Sequence, residues 1–386
     1  MKNVPQYLFI ESELRKKILA GTLKTGDQLP VEQELAAEYG VSRTTLRRAL
    51  RILEADGLLF PITSKGTFVT DPEDREQLKL KRRQVEFRRR SKTIAALVPS
   101  ITLVHYPPIV RGIEDECTRS GYQLALGNFD GNLEKETAYL LDFMDSGVRG
   151  IIVSPHYRSH ENEQYKAVLA RGIPLVLTDT GIDGIEADLV ATDNEKGASE
   201  GTRTLIDAGC KRIAFLSGWL SASSSRDRLR GFETAMREAG LPVREELVLE
   251  GHFAARFGRE AWNEKLAAAQ PDGIFSANDP ITTGLLHAIV ESGNTPPEKL
   301  RIATFDRPDI PFEFHHPLTL VEQPAADLGA VACGLLIRRI EALDAPPPEM
   351  EAGFEPEPSG AHQKILLSPS IRQLTPTVRP RPPVQH

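Results

Sequence analysis

Hydrophobic and polar positions divide this chain into stretches of different rhythm. Through the first 71 residues the apolar positions keep helical spacing in short runs. In YLFIESELRKKILAG they fall at Phe9, Ile10, Leu14 and Ile18, and Gly21 ends the run. LPVEQELAAEYG predicts a second short helix closed by Gly40. VSRTTLRRALRILEADG predicts a third, stopped by Gly57. There Leu46, Ala49, Leu50 and Leu53 follow the i, i+3, i+4, i+7 spacing of a buried stripe, and Ser42 is placed to cap the first turn. GLLFPITSKGTFV then reads as two short strands around a turn at Ser64, Lys65 and Gly66. Three short helices and a hairpin make a winged helix-turn-helix of α+β class. From residue 93 onward apolar strands (IAALVP, YQLALGNF, GIIVSP, PLVLTD, RIAFLSG, GIFSAND, LRIATFD) alternate with amphipathic segments. That alternation predicts parallel sheets with helices on both faces. Residues 72–92, between the two rhythms, have few apolar positions and read as a charged, solvated linker. The alternative is a segment that adds phosphate contacts. The Pro-rich run at 345–360 reads as an exposed loop, and 379–386 as a disordered tail.

Charge sharpens the division. The net charge is −7 over 386 residues, a length that suggests two or three domains. Residues 1–93 carry 19 Lys and Arg against 13 Asp and Glu; the remainder carries 28 against 41. A basic head on an acidic body implies an anionic partner for the head. The three cysteines, Cys117, Cys210 and Cys333, lie far apart in sequence and form no metal-ligand pattern or disulfide framework. The first residues lack a signal-peptide apolar core, and no apolar run approaches the roughly 18 residues of a membrane span. The expectation is a cytoplasmic protein without membrane association.

The stripe at 46, 49, 50 and 53 forces Arg43, Arg47, Arg48 and Arg51 outward. Arg43 and Thr44 fall in the first turn of the third helix, where free N–H groups and the helix dipole favour an anion, and Arg47 lies one turn on. Such a surface suits phosphates and base edges in a major groove. LKTGDQLPVEQELAAEYGVSRTTLRRALRILEADGLL with SKGTFV resembles the DNA-binding domain of GntR-type bacterial regulators over nearly all of residues 5–70. The resemblance implies DNA contacts by Arg43, Thr44, Thr45 and Arg47, with Thr63, Ser64, Lys65 and Gly66 at the wing. Two positions depart from the family pattern: Gln33 replaces the usual arginine of helix two, and Val31 the usual capping serine.

In the body, several strands end in polar residues at the edge where parallel α/β sheets bind ligands: Asp179, Asn278 with Asp279, and Asp306. The sequence contains no G-x-G-x-x-G after a strand, no P-loop, no G-x-S-x-G and no H-E-x-x-H, and His315–His316 reads as a surface pair. Neither a metal nor a cofactor is expected, and the body reads as a binding domain and not an enzyme. RGIEDECTRSGYQLALGNFD, VATDNEKGASEGTRTLIDAGCKRIAFLSG, SSSRDRLRGFETAMREAGLP, DGIFSANDPITTGLLHAI and LTLVEQPAADLGAVA together resemble the effector domain of LacI/GalR-type repressors, itself similar to periplasmic sugar-binding proteins. That resemblance implies a two-lobed α/β periplasmic-binding-protein-like domain over 93–378. Lobe one is expected at about 93–190 and 324–348, lobe two at about 191–323 and 349–378. Asp179, Arg226, Asn278, Asp306 and Gln323 fall where the family contacts its ligand. Phe253 matches a stacking aromatic, and His105 and Tyr106 lie in a loop that often lines the cleft. The alternative is that Asp179 and Asp306 cap turns and Arg226 pairs with a nearby carboxylate.

The combined expectation is a multidomain, ligand-responsive transcription regulator. It would be a homodimeric repressor on a two-fold symmetric double-stranded operator, released by a neutral monosaccharide. One competing reading is a GntR head on a pyridoxal-phosphate enzyme-like body, but no lysine stands in the required motif context. A second is a sugar-binding receptor without DNA regulation, which the basic head argues against.

Overall fold

A computed structural model describes residues 5–62, 66–71, 91–291, 300–310, 317–345 and 361–374. Thr63, Ser64, Lys65, most of the 72–92 connector, His315–His316, the 346–360 run and the tail lie outside the described residues. The chain divides into two compact units, Met1–Ser91 and Lys92–His386.

The first unit contains α1 (Gln6–Leu19), α2 (Glu32–Glu38), α3 (Arg43–Ala55) and the antiparallel pair β1 (Leu59–Ile62) and β2 (Gly66–Val69). Ile10, Leu14 and Ile18 pack with Leu35, Leu46, Ala49, Leu50, Leu53, Leu59 and Val69 into one core. Phe9, counted with the apolar face in the sequence, is 58% exposed. It stands about 100° around the helix from the 10–14–18 stripe, outside the arc that meets the core. The Ser42 hydroxyl accepts from Thr45 N–H at 3.2 Å and caps α3. Val31, at the start of α2, makes no side-chain cap.

The second unit holds two six-stranded sheets. The first runs in the order β13 (Lys364–Leu367), β7 (Asp188–Thr192), β6 (Leu175–Thr178), β5 (Ile151–Val153), β3 (Thr93–Val98) and β4 (Gln123–Asn128), all parallel. The second runs β14 (Ser370–Leu374), β12 (Leu318–Glu322), β11 (Arg301–Phe305), β10 (Gly273–Ser276), β8 (Ile213–Ser217) and β9 (Val248–Glu250), with β14 alone antiparallel to its neighbour. Helices α4 (Tyr106–Arg119), α5 (Leu133–Ser146), α6 (Gln164–Ala170) and α11 (Ala325–Asp344) cover the first sheet. The second is covered by α7 (Asn194–Asp207), α8 (Ser223–Glu238), α9 (Ala255–Ala261) and α10 (Asp279–Glu291). The chain therefore passes between lobes three times, near residues 192–194, 323–325 and 367–370.

One assignment differs from the sequence reading. Lys364–Leu367 pairs with Asp188–Thr192 and completes lobe one, whereas only Ser370–Leu374 joins lobe two. Both strands are short and follow each other within three residues, so their sequence carries no signal for which sheet edge each will meet. Strands β7 and β9 have no counterpart among the apolar strands picked out in the sequence; β7 is buried by β6 and β13 on either side. Helices α4 and α11 cross closely: a side chain at Gly112 would strike the Ala326 carbonyl, and one at Gly329 the Ile109 carbonyl. At that crossing Cys117 and Cys333, 216 positions apart, sit with their Sγ atoms 3.5 Å apart as free thiols.

Candidate functional site

The head presents its arginines as the stripe required. Arg43, Thr44, Arg47, Arg48 and Arg51 are exposed on α3, while Leu46, Ala49, Leu50 and Leu53 are buried. Thr45 is half-buried, its hydroxyl 2.9 Å from Ser42 Oγ in the cap. Glu32 of α2 reaches across to the recognition helix and accepts twice from Arg47 Nε, at 2.7 and 3.0 Å, with Arg43 at 3.5 Å. Arg48 turns back, its guanidinium 4.0 Å from the centre of the Tyr7 ring. Gly66 opens β2 opposite Ile62 with φ of 109°, a conformation that favours glycine.

In the second unit a cavity of about 570 Å³ opens between the lobes at the carboxyl ends of both sheets. His105, Tyr106, Asp179, Phe253, Asn278, Asp306 and Gln323 all line it. Asp179 and Asp306 directly follow β6 and β11, and both adopt left-handed backbone, φ 70° and 58°. That conformation is uncommon for a side-chain-bearing residue and turns each carboxylate into the cleft. His105 bridges the lobes between them, with Nε2 3.1 Å from Asp179 and Nδ1 3.6 Å from Asp306. Gln323, at the second crossover, donates to Asp306 at 2.6 Å and accepts from Thr192 at the first crossover at 2.8 Å. Asn278 spends its side-chain oxygen on the N–H of Ile281, capping α10, which leaves its amide nitrogen for the cleft.

Arg226 is a correction. Its guanidinium leaves the cavity and pairs with Asp183 at 2.8 and 3.0 Å, donating also to the carbonyls of Leu220 and Ser221. The arginine in the cleft is Arg228, one of the cavity-lining residues and only 5% exposed. It donates to Asn194 at 2.7 Å, to the Ala277 carbonyl and to Gln323 at 3.2 Å, and lies over the Phe305 ring at 3.8 Å. The signal was present in the sequence. On α8 the buried face runs through Ser225, Arg228, Phe232, Ala235 and Met236, and residue 226 falls off that stripe.

Burial and charge set the protonation of this cleft. Burial works to lower the His105 pKa, but the carboxylates of Asp179 and Asp306 outweigh it and hold the imidazole above its usual value. Burial raises Asp179, and His105 together with Arg228 reverses the sign and holds it below the carboxylate range. Asp279, buried at the start of α10, is pushed up to about 7 by desolvation and by the charge of Asp306. It lines the cavity together with Tyr157, Trp219 and His156, none of which the sequence reading placed in the site. Tyr157 and Trp219 stand in loops just past β5 and β8, the strand ends where such residues could have been sought.

An exposed recognition helix on a winged head, joined in one chain to a two-lobed domain with a polar cleft, defines a ligand-responsive DNA-binding transcription regulator. Residues 6–69 match the bacterial regulatory proteins of the gntR family, and residues 202–355 a periplasmic binding protein-like domain. The chain is 29% identical over 355 residues to the arabinose metabolism transcriptional repressor of Geobacillus stearothermophilus, covering 88% of this chain and 92% of that one. It is 32% identical over 254 residues to the HTH-type transcriptional repressor PurR of Photobacterium profundum, covering 65% and 75%. Among solved structures it resembles the transcription regulator CcpA of Lactococcus lactis, with a TM-score of 0.63 and 29% identity over 73% of this chain and 98% of that one. The chain belongs to the GntR-headed transcriptional repressors that carry a LacI-type effector domain. These relatives are regulators and not enzymes, and among the described residues no helix is long and apolar enough to cross a membrane.

Proposed function

We propose that this repressor acts in the cytoplasm as a homodimer on a two-fold symmetric operator and is released by a neutral saccharide bound between its lobes. The observation that carries the effector class is the composition of the cleft. Asp179 and Asp306 face one guanidinium, Arg228, and the His105 imidazole; Asp279 beside them is raised to about 7, and His156 and His252 also line the cavity. A phosphorylated ligand would set its dianion against these carboxylates in a desolvated site. Hydroxyls donate to the carboxylates and accept from Arg228 and the Asn278 amide, so vicinal hydroxyls satisfy both kinds of partner. Arg43, Thr44, Thr45 and Arg47 are proposed to face the operator, with the wing beside them.

Coupling follows from where the cleft residues sit. His105 and Asp179 belong to lobe one, Asp306 to lobe two, and Gln323 to a crossover. A ligand that substitutes its hydroxyls for the His105 and Gln323 contacts favours one lobe arrangement over another, and only that differential affinity shifts the population. A coupling of about 1–3 kcal/mol changes operator affinity roughly 5- to 150-fold.

Asp306→Asn tests the reading, since asparagine tolerates the left-handed backbone while removing the charge. The variant is expected to bind operator normally in a gel-shift titration and to be released only at saccharide concentrations at least about tenfold higher. Wild-type release by the same saccharide would remove Asp306 from the site, and release of the wild type by a purine or sugar phosphate alone would overturn the effector class.

A further inference from the structure

The cleft contains more than one sugar ring needs. About 570 Å³ stands open between the lobes, inside the roughly 300–1,000 Å³ range of sites that take drug-sized ligands, which are larger than one ring of about a dozen non-hydrogen atoms. The polar residues described above form one connected group, His105 with Asp179, Asp306 and Gln323, and Gln323 with Arg228. A second group of lining residues is aromatic and comes from both lobes. Tyr157 of lobe one lies 6.1 Å from Trp219 and 6.3 Å from Phe253 of lobe two, centre to centre. All three are only half-buried and line the cavity.

These rings are held in place by polar groups spent on their loops. The loop that carries Tyr157 is tied to the fully buried carboxylate of Glu136, which accepts from His156 N–H at 2.9 Å, Ser159 Oγ at 2.9 Å, Asn162 at 3.2 Å and the Tyr165 hydroxyl at 2.8 Å. The Trp219 loop is tied by Arg226, through the Leu220 and Ser221 carbonyls, and by Glu250, which accepts from Leu220 N–H at 2.7 Å. Phe253 lies flat on Gly218, where any side chain would overlap its ring. Rings that merely plugged a gap would be buried; these are half-exposed and line an open cavity from anchored loops. His156 adds a polar partner. Its Nδ1 accepts from Arg158 N–H at 3.1 Å, so the neutral ring carries its proton on Nε2 and can donate.

We infer that the effector is a two-ring saccharide, a disaccharide whose first ring takes the Asp179–Asp306–Arg228 subsite and whose second ring lays its C–H face on the Tyr157–Trp219–Phe253 wall. The inference rests on the saccharide reading above and gives that saccharide two rings, in place of the monosaccharide expected from the sequence. A pyranose suits these rings because its ring C–H groups are apolar while its equatorial hydroxyls point away from them, and His156, 4.1 Å from the Tyr157 ring centre to centre, lines the same cavity.

The experiment is isothermal titration of the full chain with glucose-, galactose-, xylose- and arabinose-based disaccharides and with their component monosaccharides. At least one disaccharide is expected to bind about tenfold or more tighter than either component. Trp219→Ala and Tyr157→Ala, each checked for unaltered circular dichroism, should shrink that gap to within about threefold, and Trp219→Phe should restore most of it. The inference is overturned if the best monosaccharide binds as tightly as the best disaccharide, or if the gap survives both alanine variants; either result leaves the saccharide reading standing. Binding of a purine with no saccharide of either length bound would remove both.

Discussion

Arg47 of the head and Arg228 of the body are the same residue type in opposite circumstances. Arg47 is 53% exposed in its side chain and pairs with one carboxylate, Glu32. Arg228 is 5% exposed, donates to Asn194, Ala277 and Gln323, and covers a phenylalanine ring. An exposed ion pair is worth about 0–1 kcal/mol, so Arg47 can exchange Glu32 for a phosphate or base at little cost. A buried guanidinium is fixed by everything around it, and removing it strands its partners. The head thus keeps its charges exchangeable, and the cleft keeps its charges prearranged.

The largest test of this contrast is Arg228→Ala. It leaves Asp179 and Asp306 with His105 as their remaining buried positive partner and strands Asn194, the Ala277 carbonyl and Gln323, and the expected loss of stability is about 3–5 kcal/mol in chemical denaturation, together with loss of effector response. A loss under about 1 kcal/mol would mean that Arg228 is no more committed than a surface arginine. Next, Arg47→Ala should weaken specific operator binding by about 1–3 kcal/mol while the melting temperature stays within a few degrees of wild type. Unchanged gel-shift affinity would take α3 out of the groove.

A third test uses pH. His105 has a raised folded pKa, so its contribution is complete below its unfolded value near 6.5 and is lost as pH rises through the higher folded value. Asp279 is raised from 3.8 to about 7, so the folded state prefers it protonated, and stability falls as pH climbs between those values. Both act in the same direction, and the ligand-free body should melt at lower temperature as pH passes upward through 7. Asp279→Asn should flatten the profile and stabilise the protein above pH 7 by about 1–3 kcal/mol. A melting temperature that rises over that interval in the wild type would contradict the assignment. The smallest effect belongs to Glu32→Gln. Releasing Arg43 and Arg47 should tighten DNA binding by less than about 1 kcal/mol, seen as a modest gain in affinity at fixed salt. A weaker complex would show that Glu32 orients Arg47 for the groove and does not merely occupy it.

The head was readable because each of its decisions is local. The stripe at Leu46, Ala49, Leu50 and Leu53 fixes which arginines face out, Ser42 fixes where α3 begins, and the hairpin follows from two short strands and a tight turn. In the body the strand-end carboxylates were equally legible, since an acid directly after an apolar strand of a parallel sheet has one edge to occupy. Arg226 shows where a motif match by position is weaker than periodicity. A shift of two residues on a helix turns a side chain by about 200°, and the buried stripe of α8 selects Arg228.

The sequence by itself determined the two-part organisation, the basic recognition surface and the cleft carboxylates, because spacing, capping and strand ends act within a few residues of one another. Only the tertiary structure decided which sheet edge receives Lys364–Leu367, that Cys117 meets Cys333, and that His105 stands between Asp179 and Asp306. It alone also gathered Tyr157, Trp219 and Phe253 from three loops into one wall. Those contacts join residues roughly 60 to 220 positions apart. They are set by how two sheets and three crossovers close on each other, and no local pattern of side chains encodes that closure.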